Sequence, residues 1–311
     1  HYWGTTVLSV NRFEPQPQDR LFNSEAFFRL HAPERAFYFQ WMLKGRVAMC
    51  LHVSEVAAAQ VRSPRRGTFG AVSFFEDVAL SELEAFLLEV TRFLQQQAMR
   101  RLELLLPPAA HADERVAEQH FVLRSLGFSE TLCDVNYAIS VDERPLSQRL
   151  NYANRKRLNK CVREGFSAGL MDASSLEAVY AVIERNRQSK GYPMTMTLPQ
   201  LSEMQALFPD QVLLYGCHAG DALAAAALCL QVSPAVLYVF YWGDDAQFSS
   251  YSPVTLLADA IYIDCQHKGI ALLDIGTASD EGQANHGLIR FKRGLGCEAS
   301  LKFRLEKIIE P

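Results

Sequence analysis

Two similar α/β units in tandem are expected from this sequence, on the strength of its length, its apolar content and a repeated order of elements. The chain has 311 residues, which at roughly 150 residues per domain suggests two domains. Apolar residues make up 49% and charged residues 21%, enough for well-filled cores. Both halves read β-hairpin, β, α, β, α, β. From the hairpin glycine to a Leu-Gly turn the spacing is 82 residues in the first half, Gly45 to Gly127, and 76 in the second, Gly220 to Gly296.

In the first half, Ala36–Leu43 and Arg46–Val53 are β-type runs flanking Lys44-Gly45, a hairpin turn pair. Thr68–Phe74 is a further strand candidate. Ser81-Glu82-Leu83-Glu84 reads as a capping box, with Ser81 and Glu84 able to satisfy the first free N–H groups of a helix. Leu83, Phe86, Leu87, Val90 and Phe93/Leu94 then recur at helical spacing, so this helix buries one stripe. Arg101–Leu106 reads as a strand stopped by Pro107-Pro108. A second helix is expected from Asp113 to Ser125, ending at Gly127, and a strand from Asp134 to Val141.

In the second half, Val212–His218 and Leu223–Val232 flank Ala219-Gly220-Asp221, a second hairpin signal. Ala235–Trp242 is a strong strand. A helix follows from Pro253 to His267, with proline in its first turn, where a missing N–H costs nothing. Ala271–Ile275 is the next strand, Ala284–Arg293 a short helix, and Ser300–Ile309 the last strand. The expected domains are residues 1–142 and 143–311, with a basic helix inside the connection.

The net charge of −4 excludes a global positive field, and with it a protein that coats DNA or other polyanions. The longest mostly apolar stretch, Ala222–Val232, is far short of the ~20 residues of a membrane helix, so an integral membrane protein is not expected. Seven cysteines are scattered, without the spacing of a zinc site, and most sit in apolar runs. The N-terminus shows no basic region followed by an apolar one. These features suggest a reducing, cytoplasmic protein without a structural metal.

The order of elements is that of the acetyltransferase superfamily called GNAT. In the second half, Tyr241-Trp242-Gly243, Ser252-Pro253 opening a helix, Leu273-Asp274-Ile275-Gly276 and Leu288-Ile-Arg-Phe291-Lys292-Arg-Gly294-Leu-Gly296 resemble the Fem-type tandem acyltransferases. That family joins two GNAT-like units and attaches amino acids from aminoacyl-tRNA to peptidoglycan precursors; related members are acyl-CoA-type acetyltransferases. The resemblance implies two mixed, mostly antiparallel sheets flanked by helices. It also implies two central strands that splay apart and expose backbone N–H groups to an acyl donor, here between Ala235–Trp242 and Ala271–Ile275. The active unit would be the second, and the first would be structural or shape the acceptor site.

The same resemblance implies roles for individual residues. Phe291 and Lys292 match its Phe-Lys motif, which sets a lysine beside the donor, where a cation stabilises developing negative charge or a phosphate. Arg290, Lys292 and Arg293 also suit a solvated helix end. Asp274 would orient the acceptor amine or take its proton, or simply cap the next loop. Tyr241 would hold substrate or donate a proton, with Arg187 and Tyr192 on the acceptor side. Glu281 and His286 are weaker candidates as bases.

The usual phosphate loop of a GNAT domain, Arg/Gln-x-x-Gly-x-Gly/Ala, is absent from both halves. Ser250 and Ser252 stand in its place in the second, at a helix start that suits a donor phosphate or an ordinary cap. Arg149–Arg163 carries six cations and no acid, which fits either a solvated helix face or a contact with nucleotide, tRNA or lipid phosphate. The expected activity is therefore N-acyl transfer to a small-molecule or cell-envelope amine, with acyl-CoA as co-substrate and no tightly bound cofactor or metal. Two alternatives stay open: an aminoacyl-tRNA-dependent peptidoglycan-precursor transferase, and a non-catalytic binding protein on a degenerate GNAT fold.

Overall fold

The structure is a computed structural model that describes residues 7–16, 19–112 and 115–311. The expected helix start at Asp113 lies outside the described residues. The chain forms two compact units. One runs to Val135 and includes 281–283 and 300–311; the other comprises 136–280 and 284–299. Packing thus does not follow a single boundary at 142/143, because the C-terminal strand counts with the first unit.

The first unit contains β1 (Val7–Val10), α1 (Glu25–His31), β2 (Ala36–Leu43), β3 (Arg46–Ala57), β4 (Gln60–Ser63), β5 (Ser73–Phe74), α2 (Leu80–Gln96), β6 (Arg101–Leu105), α3 (Val116–Ser125) and the first part of β7 (Ser129–Ser140). The hairpin forms at Lys44-Gly45, where both residues have positive φ, +50° and +77°. That pair of angles is the primed turn whose twist matches paired strands.

Helix α2 buries Leu83, Phe86, Leu87, Val90 and Leu94, the stripe expected from its spacing. These residues share one core with Met49, Leu51 and Leu102 from the strands. The expected capping box is not formed. The helix begins at Leu80 with Ala79 as its unassisted cap, and Glu82 accepts a hydrogen bond from Trp41 Nε1 at 2.8 Å.

The expected Thr68–Phe74 strand is also corrected. Only Ser73–Phe74 is extended, against β3, and the strand that pairs in parallel with β6 is β4. A run of only four residues ahead of Pro64 gives periodicity too little to register. The sheet order is β1-β2-β3-β4-β6, followed by the C-terminal strand, whose residues 304–308 pair with 101–105.

The second unit takes the end of β7, α4 (Tyr152–Arg163), β8 (Ser167–Met171), α5 (Leu176–Ser189), α6 (Leu198–Leu207), β9 (Val212–Ala219), β10 (Ala222–Ser233), β11 (Val236–Asp244), α7 (Pro253–Lys268), β12 (Leu272–Thr277), β13 (Ser279–Asp280) and α8 (His286–Gly294). Two short pieces complete the chain: β14 (Gln283–Ala284), and β15 (Glu298–Ile308), the C-terminal strand. The sheet order is β7-β12-β11-β10-β9-β8. Ala224–Leu230 of β10 are all buried, as a strand covered on both faces requires.

Ser174 and Glu177 have the spacing of a capping box but do not cap α5. Asp172 caps the short turn before it, accepting from Ser174 N at 2.9 Å, and α5 itself has no side-chain cap. No helix among the described residues is long and apolar enough to cross a membrane.

Candidate functional site

The site grows from the place where two parallel strands part. β11 and β12 pair through only three residues, ending at Tyr238 opposite Asp274. Beyond Tyr238, β11 continues to Asp244 with β10 as its ladder partner. Its register shifts where Leu228 pairs with Tyr241 and Cys229 with Val239, leaving Phe240 as a bulge. A bulge beside an unpaired strand edge re-aims backbone groups outward. These are the strands between which the resemblance places a donor.

Asp274 and Lys292 build the floor of this parting. Asp274 is fully buried. Its Oδ1 accepts from Asn136 Nδ2 at 2.9 Å and from Gly276 N at 2.8 Å. Gly276 sits at φ +85°, a conformation open to glycine at little cost. Lys292, 3% exposed, donates from Nζ to the carbonyls of Ile275, Gly276 and Thr277 at 2.8, 3.1 and 2.8 Å.

An ammonium has three protons, and all three are used here. The lysine thereby fixes the turn at the end of β12. Asp274 caps that same turn with its carboxylate, one of the readings its position offered. Burial pulls the Lys292 ammonium down to about 8, against the opposing influence of Asp274 and Cys297. Burial likewise pushes the Cys297 thiol up to about 12.

The glycines of the Phe-Lys motif have local reasons. A Cβ on Gly294 would lie 2.7 Å from Asn154 Nδ2 and 2.8 Å from Asn151 Nδ2. One on Gly296, at φ +84°, would lie 2.6 Å from Arg149 Cβ. The end of α8 thus presses on the start of α4, and Gly294 O accepts from Asn151 N at 3.0 Å. Phe291 turns toward β11, its ring centroid 6.1 Å from that of Trp242.

Tyr241 and Arg187 come together in the structure. The guanidinium carbon lies 5.2 Å from the tyrosine ring centroid, and Arg187 Nη2 donates to Pro193 O at 3.1 Å. The buried Tyr241 hydroxyl is hydrogen-bonded to Thr195. Burial raises its pKa, with Thr195 and Arg187 working against that. Tyr192 is not drawn into this cluster; its side chain points outward, 43% exposed.

At the far end of β11, Ser250 is exposed and Ser252 half-buried. Ser252 stands at the start of α7 in a left-handed conformation, with no side-chain cap bond. Helix α4 braces this segment: Cys161 Sγ donates to Tyr251 O at 3.1 Å, and Lys160 Nζ stands 4.7 Å from the Tyr251 ring centroid. Thr255 Oγ1, one turn into α7, is buried with no partner among the described residues.

Tyr238, Asn136, Thr195 and the Phe240 bulge went unrecognised in the sequence. Tyr238 pairs with Asp274, and its hydroxyl lies 3.9 Å from where a Cβ on Gly276 would stand. Tyr238 ends the paired stretch within Leu237-Tyr-Val-Phe-Tyr241, where alternation gives no sign of where pairing stops. Asn136 and Thr195 are distant in sequence from the residues they support, and no motif marks them.

Residues 152–293 match the family described as Acetyltransferase (GNAT) domain. No curated protein matches the chain. Among solved structures, the crystal structure of FemX is similar over 96% of this chain and 97% of that one, at 12% identity and TM-score 0.73. A tandem GNAT protein from the clavulanic acid biosynthesis pathway aligns over 93% and 88%, at 12% identity and TM-score 0.55. L-PGS from Bacillus licheniformis aligns over 85% and 82%, at 11% identity and TM-score 0.59. The domain match supports a transferase of acyl groups, and the chain has the tandem GNAT fold of the Fem-like proteins.

Proposed function

We propose that the chain is an N-acyltransferase whose reaction takes place along the unpaired edge of β11, with acyl-CoA as donor and an amine on a small or cell-envelope molecule as acceptor. The observation that carries this reading is the three-residue β11–β12 pairing, followed by a bulged strand with one free edge. Backbone N–H groups on that edge would hold the thioester carbonyl. They cost no reorganisation when charge develops on its oxygen. The amine nitrogen attacks the carbonyl carbon, the C–S bond breaks, and the amine proton leaves to solvent.

Tyr241 is the proton source for the departing thiolate, and a proton from solvent restores its hydroxyl. Burial raises its pKa and keeps it a donor at neutral pH. Lys292 and Asp274 are positioning residues: they hold the end of β12 away from β11. Phe291 and the start of α7 with Ser250 and Ser252 would take the donor, and Arg187 with Tyr192 the acceptor. A cytoplasmic location belongs to the same reading, and the free state of all seven cysteines is consistent with it.

A second reading, with aminoacyl-tRNA as donor, draws on α4. Arg155, Lys156, Lys160 and Arg163 have no acidic partner among the described residues. Thiol release from a panel of acyl-CoAs with simple amines, in wild type and Tyr241→Phe, tests the first reading. Turnover that falls at least tenfold in the variant supports it, and no thiol release from any acyl-CoA removes it. Aminoacyl-tRNA turnover that drops steeply with salt would put the second in its place.

A further inference from the structure

Helix α8 has two faces with different chemistry. Leu288, Phe291, Lys292 and Leu295 turn inward, and Lys292 ends in the carbonyls of β12. His286, Ile289, Arg290 and Arg293 follow the other face at i, i+3, i+4 and i+7. With Asn151 and Gly294 they line a cavity of about 430 Å³. Arg290 and Arg293 are exposed, and neither has an acidic partner among the described residues.

No carboxylate lines the cavity. Asn151 Oδ1 is taken by Asn154 N at 2.9 Å, so the amide group left to Asn151 is its NH₂. The cavity therefore offers two guanidinium forks and an amide donor, with an imidazole beside them. The first turn of α4, which begins here, carries no acid and ends at Arg155, with Lys156 directly after it. Cations near a helix N-terminus are unfavourable unless an anion joins them.

We propose that this cavity is a subsite for a phosphate monoester or diphosphate on one of the two substrates. Paired arginines suit phosphate oxygens because each guanidinium can donate two parallel hydrogen bonds. The volume exceeds that of a bare phosphate and leaves room for the group that carries it. The opposite face of α8 carries Lys292 to the carbonyls at the end of β12. The proposal rests on the acyltransferase reading only for the word substrate; binding itself does not depend on turnover.

The test is calorimetric titration with inorganic pyrophosphate and with ADP, alongside sedimentation with phosphatidylglycerol vesicles. Wild type, the double variant R290Q/R293Q and a remote charge control, R92Q, are compared, with thermal melts to verify folding. Pyrophosphate and ADP should bind wild type and R92Q alike and bind the double variant about tenfold or more weakly, as lost charge-assisted bonds require. Equal binding to the double variant, no binding to wild type, or binding to vesicles alone would overturn the subsite.

Tyr241→Phe separates the two readings. It should lose turnover and keep pyrophosphate binding. Arginine-dependent binding without turnover of any acyl donor leaves the subsite standing and removes the acyltransferase. Turnover without arginine-dependent binding does the reverse.

Discussion

The two units carry the same framework and fill one position in opposite ways. In each, a parallel pair ends at a defined residue, Ser63 opposite Leu104 in the first and Tyr238 opposite Asp274 in the second. In each, the following helix ends in Leu-Gly with a left-handed glycine, Gly127 at φ +89° and Gly296 at +84°. Phe128 N returns to Leu123 O, and Cys297 N to Lys292 O. Counting from these landmarks, Asp274 corresponds to Leu104 and Lys292 to Leu123. All four are buried.

The difference continues one residue further. Leu105 O accepts from Gly70 N at 2.7 Å, whereas Ile275 O accepts from Lys292 Nζ at 2.8 Å. In the first unit the chain itself, returning after Pro64, satisfies this carbonyl. Gly67 and Gly70 let that segment lie against Phe22 and Pro64. In the second unit a lysine performs the task, and the strand edge is left free. Burying two ions is seldom more stabilising than burying two leucines. Asp274 and Lys292 are thus a cost in stability relative to Leu104 and Leu123.

The sharpest way to break this comparison is Leu104→Asp, which buries a carboxylate with no partner. It should destabilise by about 5 kcal/mol, read as a large fall in the urea midpoint. A midpoint near wild type would mean the two positions are not equivalent. Next comes Lys292→Met, which leaves the carbonyls of Ile275, Gly276 and Thr277 without their buried donor and removes the positive charge near Asp274, and should cost about 4 kcal/mol. The double change Asp274→Leu with Lys292→Leu should restore or exceed wild-type stability while abolishing acyl transfer. Full turnover in that variant would sink the role given to the pair.

The third effect is pH. Burial holds His52 and His31 down to about 4, His31 also being disfavoured by Arg66 and Arg65. The unfolded chain, titrating near 6.5, then binds more protons between 4 and 6.5, so stability falls as pH drops through that window. For His52 the loss is about 3 kcal/mol. Lys292 has the same sign at another pH: stability should rise as pH climbs from about 8 toward 10.5, where the unfolded lysine still holds its proton. Acid should therefore weaken the first unit, and alkali should relieve a strain in the second. Amide exchange followed by unit across pH 4–10 checks both.

The smallest effect is Gly70→Ala. Its Cβ would meet Pro64 N at 2.9 Å and Ser63 Oγ at 3.0 Å, at a cost of about 1–2 kcal/mol. Donor binding, if it appeared in this variant, would show that only the returning segment closes the first unit.

The framework was legible because it rests on local rules. The α2 stripe, the Lys44-Gly45 turn and the Leu-Gly helix ends follow from period, positive φ and left-handed caps, all written within a few residues. What failed was short or cooperative. The four residues of β4 are too few to show a period, and Ser81 lost its expected cap because α2 begins two residues earlier. In the site, the Phe-Lys motif located Lys292 correctly on α8 but not the direction of its ammonium.

The sequence alone therefore determined two α/β units, the helix that carries Lys292 and the strands β11 and β12. Only the tertiary structure decided that Lys292 spends all three protons on β12, that Asp274 caps a glycine turn, and that Arg290 and Arg293 face a separate cavity. The reason is physical. Periodicity specifies which face of an element is buried, but the partner of a buried charge is chosen by groups that folding brings from elsewhere in the chain.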